Sequence, residues 1–177
     1  MKPKSHKPEP ALPALFEEEP SRIESASPQN VRKLGFKQIL VPIDFSDCSA
    51  TALNYGLTIA DRFGAKVTLL HVVEPAVYPE NYMVPPSSME EANQDLISSG
   101  RERLAKMVGR IPLQGTSIET LVRMGRAQSE ITDTARATGC DLIIMGGHGS
   151  GGPKRAILGG TAERVLRQAP CPVLMVH

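Results

Sequence analysis

Five short apolar runs divide the chain from residue 38 onward. They are rich in β-branched residues and lack the polar alternation of a half-exposed strand, which is typical of strands covered on both faces. The runs lie at residues 38–43, 67–73, 118–124, 141–145 and 173–176. We therefore predict five short strands, each buried between other layers of structure.

Between these runs, apolar residues recur at the three- and four-residue spacing of amphipathic helices. The first helix follows the first strand and ends at Gly64, because glycine is common just past helix ends. Its apolar stripe is Ala52, Leu53, Gly56, Leu57 and Ala60. A loop with Pro79, Pro85 and Pro86 precedes a long helix over residues 89–108. The predicted buried stripe of that helix is Ala92, Leu96, Ile97, Leu104 and Met107.

Two shorter helices complete the pattern, at residues 128–138 and 161–168. The apolar side of the former is Ile131, Thr134, Ala135 and Thr138, and Gly139 is its predicted stop. Strands separated by helices must be joined by crossovers, which requires a parallel sheet between helix layers. We predict an α/β fold with a doubly wound five-stranded parallel sheet. Ligands of such sheets bind beyond the carboxyl ends of the strands, at the reversal of winding, so Asp44 and the glycine stretch after strand four are the first candidates.

The glycine stretch GGHGSGGPKRAILGGT, residues 146–161, holds seven of the fifteen glycines in the chain. Ordering glycine costs more conformational entropy than ordering other residues, so such a cluster points to positive φ angles or to a ligand against bare backbone. A flexible surface loop is the alternative. A strand that leads through glycines into a helix is suited to phosphate, because exposed N–H groups and the helix dipole converge there. Neither GxxxxGK[ST] nor a GxGxxG after strand one is present.

The same stretch resembles the G-x2-G-x9-G-[ST] signature of the universal stress protein family, with Gly146, Gly149 and Gly159 on its three glycines. KQILVPIDFSDCS is similar to the opening of the family, and TAERVLRQAPCPVLMV to its end. The resemblance covers residues 36–177 and implies an adenine nucleotide alpha hydrolase-like fold. In ATP-binding members, the residue at the position of Asp44 holds the ribose or adenine, and the residue at the position of Val72 lines the adenine pocket. The three glycines surround the phosphates.

The resemblance therefore implies an ATP site. Its predicted residues are Pro42, Ile43, Asp44, Val72, Met145, Gly146, Gly147, His148, Gly149, Gly159, Gly160 and Thr161. The sequence leaves open whether Mg²⁺ or Mn²⁺ accompanies the triphosphate. No metal ligand and no catalytic residue is assigned, since the spacing brings together no nucleophile–base pair and no His/Cys cluster. ATP hydrolysis is expected to be slow at most.

One position departs from the signature, because Gly160 stands where the family has Ser or Thr. A hydroxyl at that position would cap the helix and donate to a phosphate. The lost phosphate contact is worth roughly 0.5–1.5 kcal/mol, or up to about 3 kcal/mol if the phosphate charge is engaged, which weakens the affinity at worst about tenfold to hundredfold. ATP binding is the leading hypothesis, and a dimeric, non-nucleotide-binding interaction protein of the same family is the alternative. An adenylating enzyme is disfavoured because the loop after strand one lacks an SGGxDS sequence.

Several side chains at this predicted edge have two interpretations. Asp44 either accepts from ribose hydroxyls or forms a turn and caps the first helix, a cap that Ser46 or Asp47 could supply instead. His148 either donates to a phosphate or bonds loop backbone. Within strand two, His71 is expected to be partly buried and hydrogen-bonded. Two loop cations are either mobile phosphate ligands or solvated charges, namely Lys154 and Arg155.

Composition narrows the partners further. The chain of 177 residues has a formal net charge of +1, with 41% hydrophobic and 22% charged residues, so neither nucleic acid nor an acidic membrane surface is indicated. No apolar segment has the length of a transmembrane helix or a secretory signal. The three cysteines, Cys48, Cys140 and Cys171, are odd in number and lack CxxC spacing, so a disulfide framework and a zinc site are both disfavoured. These features favour the cytoplasm.

The ends of the chain carry two further expectations. Residues 1–35 are rich in proline and charge without a sustained period, so we expect a disordered tail before a domain at 36–177. The final strand, residues 173–176, is apolar on both faces and is expected at a sheet edge, where unpaired backbone groups accept a second strand. Universal stress proteins commonly dimerise through this strand. A homodimer is therefore predicted.

Overall fold

The computed structural model describes residues 35–75, 85–112, 115–148 and 158–177. Strands and helices alternate strictly within them. The strands are β1 (Gln38–Pro42), β2 (Lys66–Val73), β3 (Ile118–Met124), β4 (Leu142–Gly146) and β5 (Val173–Val176). The helices are α1 (Asp47–Phe63), α2 (Pro86–Val108), α3 (Ala127–Ala137) and α4 (Gly160–Gln168). The five predicted strands and four predicted helices are all present, with ends that move by up to three residues.

All strand pairs are parallel, and the sheet order is β3-β2-β1-β4-β5. Side chains alternate across β1: Ile39 and Val41 pack with α1 and α2 on one face, and Leu40 packs with α3 and α4 on the other. Helices therefore cover both faces of the sheet. The predicted doubly wound α/β fold is confirmed.

Local signals fixed several helix ends. Ser46 is the N-cap of α1 and its hydroxyl accepts from the Ser49 amide, while Gly64 ends the helix at φ 65°, in the left-handed region. Gly139, just past α3, also has a positive φ of 62°. The start of α2 was predicted too late, at residue 89. It begins at Pro86, because proline fits the first turn of a helix, where its missing N–H has no partner to lose.

Two predictions about burial were wrong. Leu96 of α2 is 40% exposed, because the inward line of the helix passes through Ile97, Gly100 and Leu104 instead. Gly100 comes so close to β2 that a Cβ there would lie 2.9 Å from Cδ2 of His71. The other error concerns the two edge strands, which were predicted to be buried: β3 has no fully buried residue and β5 has one, because each lies at an edge of the sheet.

The other edge of the sheet is β5, as predicted. Its Leu174 is 37% exposed, whereas Val176 is buried. Within the described ranges, no helix combines the length and apolar character needed to cross a membrane. Residues 1–34 of the predicted tail, together with Pro79, Lys154 and Arg155, lie outside the described residues.

Candidate functional site

A cavity of about 450 Å³ opens at the carboxyl ends of the strands. It lies where β1 and β4 run side by side, with β2 following β1 on one side and β5 following β4 on the other. This is the reversal of winding at which ligands of doubly wound sheets bind. The described residues that line the cavity are Pro42, Ile43, Asp44, Ser49, Leu70, Val72, Glu74, Ala127, Ile131, Met145, Gly146, His148, Gly159, Gly160, Thr161 and Ala162.

Ten of the twelve residues predicted for the site line this cavity. Gly149 lies outside the described residues. Gly147 does not line the cavity, and a Cβ on it would lie 2.7 Å from Cε1 of His177. The Gly147 amide donates to the Val176 carbonyl, and its own carbonyl accepts from the Gly159 amide at 2.7 Å. Gly147 thus ties the two described ends of the glycine stretch to each other and to β5.

Six lining residues were missed by the sequence reasoning: Ser49, Leu70, Glu74, Ala127, Ile131 and Ala162. Two of them had a usable signal, because Glu74 directly follows β2 and Ala127 begins α3 just after β3, at the same sheet edge. Ile131 was assigned to the core, and it does pack there while also reaching the cavity. Such double use cannot be read from spacing alone.

Asp44 lies at the end of β1 and lines the cavity through a tight local turn. Its Oδ1 accepts from the Ser46 amide at 3.0 Å and from the Ser46 hydroxyl at 2.6 Å. The Ser46 hydroxyl in turn accepts from the Ser49 amide at 3.2 Å, which caps α1. The two interpretations of Asp44 are therefore compatible, because the carboxylate forms the turn and still borders the cavity.

Phe45, next to Asp44, has a left-handed backbone with φ 64°, which is rare for a bulky residue and costs roughly 1–3 kcal/mol. Contacts on its ring hold it there. The guanidinium of Arg103 lies 3.7 Å from the ring centroid, and the His71 ring packs at 4.6 Å. Nδ1 of His71 lies 2.7 Å from the Ile43 carbonyl oxygen. His71 is therefore hydrogen-bonded and partly buried, as predicted. Together α2 and β2 fix the loop that carries Asp44.

The N-terminus of α4 borders the cavity with exposed backbone. Gly159 is its N-cap and supplies no side-chain cap, and the Glu163 amide is bonded to the Gly159 carbonyl at 2.9 Å. The first N–H groups of a helix have no partner within it, and they carry the positive end of the helix dipole. Position 160 is the first helical residue rather than the cap, which corrects the expectation that a hydroxyl there would cap the helix.

The titratable groups on the described wall of the cavity are Asp44, Glu74 and His148. His148 packs its ring 5.7 Å from the ring of His177. The described lining residues include no lysine and no arginine, so on that part of the wall the attraction for an anion comes from backbone amides and the dipole of α4. Another part of the cavity wall is apolar, and its residues include Leu70, Val72 and Ile131.

These features define a doubly wound α/β domain with a glycine-bordered cavity at the reversal of its sheet. The sequence model of the universal stress protein family matches residues 35–177. The chain belongs to the universal stress protein family, as its resemblance predicted.

Individual relatives agree with this assignment. A universal stress protein of Methanocaldococcus jannaschii is 36% identical over 141 residues, which are 80% of this chain and 82% of that protein. The solved structure of the universal stress protein UspA from Lactobacillus plantarum is 25% identical with a TM-score of 0.72, and the match covers 82% of this chain and all of that chain. A solved universal stress protein in complex with cAMP shares the fold at 22% identity and a TM-score of 0.53, over 81% of this chain and 98% of that one.

The glycines of the cavity differ in how tightly they pack, which gives a stability prediction. A Cβ at Gly146 would lie 2.8 Å from Cβ of Cys48 and 3.1 Å from its carbonyl carbon, whereas a Cβ at Gly160 meets nothing within 4 Å. We expect Gly146→Ala to lower the free energy of unfolding by about 1–3 kcal/mol, since the backbone of α1 must shift.

Gly160→Ala is the matched control, and we expect it to be neutral or stabilising by up to about 1 kcal/mol, because alanine restricts the unfolded chain. Urea unfolding of the two variants and the wild type provides the comparison. Equal stability of the two variants would show that the close approach of α1 to β4 does not require glycine.

Proposed function

We propose that this chain binds ATP in the cavity and acts as a nucleotide-dependent stress-response or regulatory protein. The observation that carries the proposal is a single cavity bordered by Asp44, by Val72 and by the uncapped N-terminus of α4. A carboxylate, an apolar wall and a set of backbone amides match the three parts of a nucleotide. The cavity volume of about 450 Å³ is also typical of small-molecule sites.

Each part of the nucleotide has a proposed position. The adenine lies against Leu70, Val72 and Ile131, which offer apolar surface beside polar backbone at the end of β2. The ribose hydroxyls donate to the Asp44 carboxylate, whose position is set by the turn with Ser46. The phosphates lie against the amides of Gly146 and Gly160, at the positive end of the α4 dipole.

A divalent ion would be held mainly through the triphosphate. In the described part of the chain, no three His, Cys, Asp or Glu side chains are grouped to hold a metal. We therefore assign no protein ligand to Mg²⁺ or Mn²⁺. We also assign no catalytic residue, and the proposed role of ATP is to be bound rather than rapidly hydrolysed.

The second candidate is a dimeric interaction protein of the family that does not bind nucleotide. Gly160 favours it, because the family signature has a hydroxyl at this position and glycine offers none. The two candidates differ in what accompanies the purified protein. Mass spectrometry after gentle denaturation would detect ATP released from the first and none from the second.

Calorimetric titration of the full-length protein tests ATP binding directly. We expect saturable binding of ATP, and AMP at least about tenfold weaker, because it lacks the phosphates that reach the amides of α4. GTP serves as the control for the base. The absence of saturation at millimolar ATP would contradict the proposal.

Restoring the missing hydroxyl gives a sharper prediction. The open space around Gly160 admits a side chain, so we expect Gly160→Ser to tighten ATP binding about threefold to tenfold through one added hydrogen bond. Gly160→Ala is the matched control, since it adds Cβ without the hydroxyl. If Gly160→Ser and Gly160→Ala have the same ATP affinity, position 160 does not contact the phosphates.

We also propose that β5 pairs with its counterpart in a second copy. The Val176 carbonyl accepts from the Gly147 amide, and the Pro172 carbonyl accepts from the Ile143 amide. Both carbonyls therefore face β4. The period of two along a strand therefore turns the backbone groups of Val173 and Met175 outward. Together with the exposed Leu174, this leaves one edge of the sheet able to accept a strand.

Met175→Pro should abolish the dimer and keep the monomer folded, because it removes an outward N–H. Sedimentation velocity measures the association, and circular dichroism the fold. Leu174→Pro is the matched control, because its N–H lies on the β4 side, and it should reduce the unfolding midpoint instead. A wild-type protein that is monomeric at micromolar concentration would contradict the pairing.

A further inference from the structure

Two cysteines meet at the edge of the sheet remote from the cavity. Cys140 immediately precedes Asp141 and β4, and Cys171 lies two residues before β5. Both are free thiols, and their Sγ atoms are 3.9 Å apart. Cys140 is only 8% exposed, whereas Cys171 is half-buried between two prolines. The third cysteine, Cys48, lies at the other end of β4, beside Gly146.

We propose that Cys140 and Cys171 form a thiol pair that hydrogen peroxide oxidises to an intramolecular disulfide. Sulfur atoms in a disulfide are about 2.05 Å apart, so the two side chains must approach by about 2 Å. Parallel β4 and β5 are already paired from Ile143 and Val173 onward, and the Ile143 amide donates to the Pro172 carbonyl at 3.0 Å. The backbones that carry the thiols are therefore held side by side before any oxidation.

Burial assigns the two thiols different roles. Hydrogen peroxide is small enough to reach the half-buried Cys171, whereas Cys140 is covered and can be reached through Cys171. The Cys171 thiolate attacks one peroxide oxygen, the O–O bond breaks, and the leaving hydroxide takes up a proton to become water. This leaves a sulfenic acid on Cys171.

The second step uses the neighbouring thiol. Cys140 attacks Sγ of the Cys171 sulfenic acid, the S–O bond breaks as the S–S bond forms, and the departing hydroxide takes the Cys140 proton to become a second water. Two thiols are oxidised by two electrons in total and one peroxide is reduced to two waters. No other reductant or oxidant is required.

Burial also sets how fast the pair reacts. It raises the pKa of Cys140 to about 12, with a further contribution from the adjacent Cys171. Burial also raises the pKa of the Cys171 thiol above its usual range, with a smaller contribution from the nearby Asp141 carboxylate. Since only the thiolate attacks peroxide, the reaction is slow near neutral pH and accelerates as the pH rises. The pair therefore responds to sustained rather than brief exposure.

The disulfide would close a loop that contains the cavity wall. The segment between the two cysteines spans 31 positions and includes β4, the glycine stretch and α4. Along β4, the first residue that lines the cavity is Met145, which is five positions from Cys140, or about 16 Å along a strand. Oxidation therefore restricts unfolding of this segment without placing any group in the cavity, and the proposal does not depend on ATP binding.

Peptide mapping of the full-length protein treated with hydrogen peroxide tests the proposal. We expect a disulfide link between the tryptic peptides 137–154 and 168–177. The mass of the oxidised protein should be that of a single chain, and dithiothreitol should restore the free thiols. The melting temperature should rise by about 5–10 °C on oxidation, as expected for a loop of this length in a domain of this size. Linking should be faster at about pH 9 than at about pH 7.

Three variants serve as controls. Cys48→Ser should keep the link. Cys171→Ser should leave Cys140 reduced in the folded protein. Cys140→Ser should stop at a Cys171 sulfenic acid, which dimedone traps.

The wild-type protein alone decides the proposal if a variant fails to fold. Disulfides that involve Cys48 or a second chain, Cys171 oxidised beyond sulfenic acid without a link, or a link that forms only in urea would each overturn it.

Discussion

The parallel pairing of β1 with β4 is the constraint on which the cavity depends. Ile39 pairs with Leu142 and Leu40 with Ile143, in the middle of the sheet. Because the connections leave these two strands toward opposite edges, their following loops diverge and leave a crevice between them. The loop after β1 brings Asp44 to one wall, and β4 brings Gly146 to the other. A sheet with another strand order would place these two residues at different positions along its edge.

The glycines after β4 perform two physical tasks, although they are close in sequence. Gly146 is required by packing, since a Cβ there would lie 2.8 Å from Cβ of Cys48 and 3.1 Å from its backbone carbonyl carbon, whereas a Cβ on Gly147 would meet only the ring of the exposed His177. Gly160 borders open space and leaves backbone accessible at the start of α4. Gly146 lets α1 approach the end of β4, and this approach shapes the wall that Gly160 completes. Packing and ligand access are therefore linked in the same motif.

Much of the fold followed from the sequence, because every strand except β3 is a predominantly apolar run and several helix ends carry a cap such as Ser46 or Gly64. The errors arise where tertiary contact replaces local pattern. Gly100 lies on the buried line of α2 and gives no hydrophobic signal, so Leu96 was assigned to the core in its place. The residues of the cavity were likewise predicted only in part. Asp44 and the glycines were indicated by a motif, whereas Glu74 and Ala127 reach the cavity because β2 ends and α3 begins beside it.

The central claim is that bare amides at the start of α4, together with Gly146, form the binding surface for a phosphate chain. Amide chemical shifts of ¹⁵N-labelled protein, followed during an ATP titration, measure this residue by residue. We expect the largest saturable shifts at Gly146, Gly160 and Thr161, with smaller shifts at Asp44 and Val72. Shifts confined to β3 and α2, or none at millimolar ATP, would contradict it.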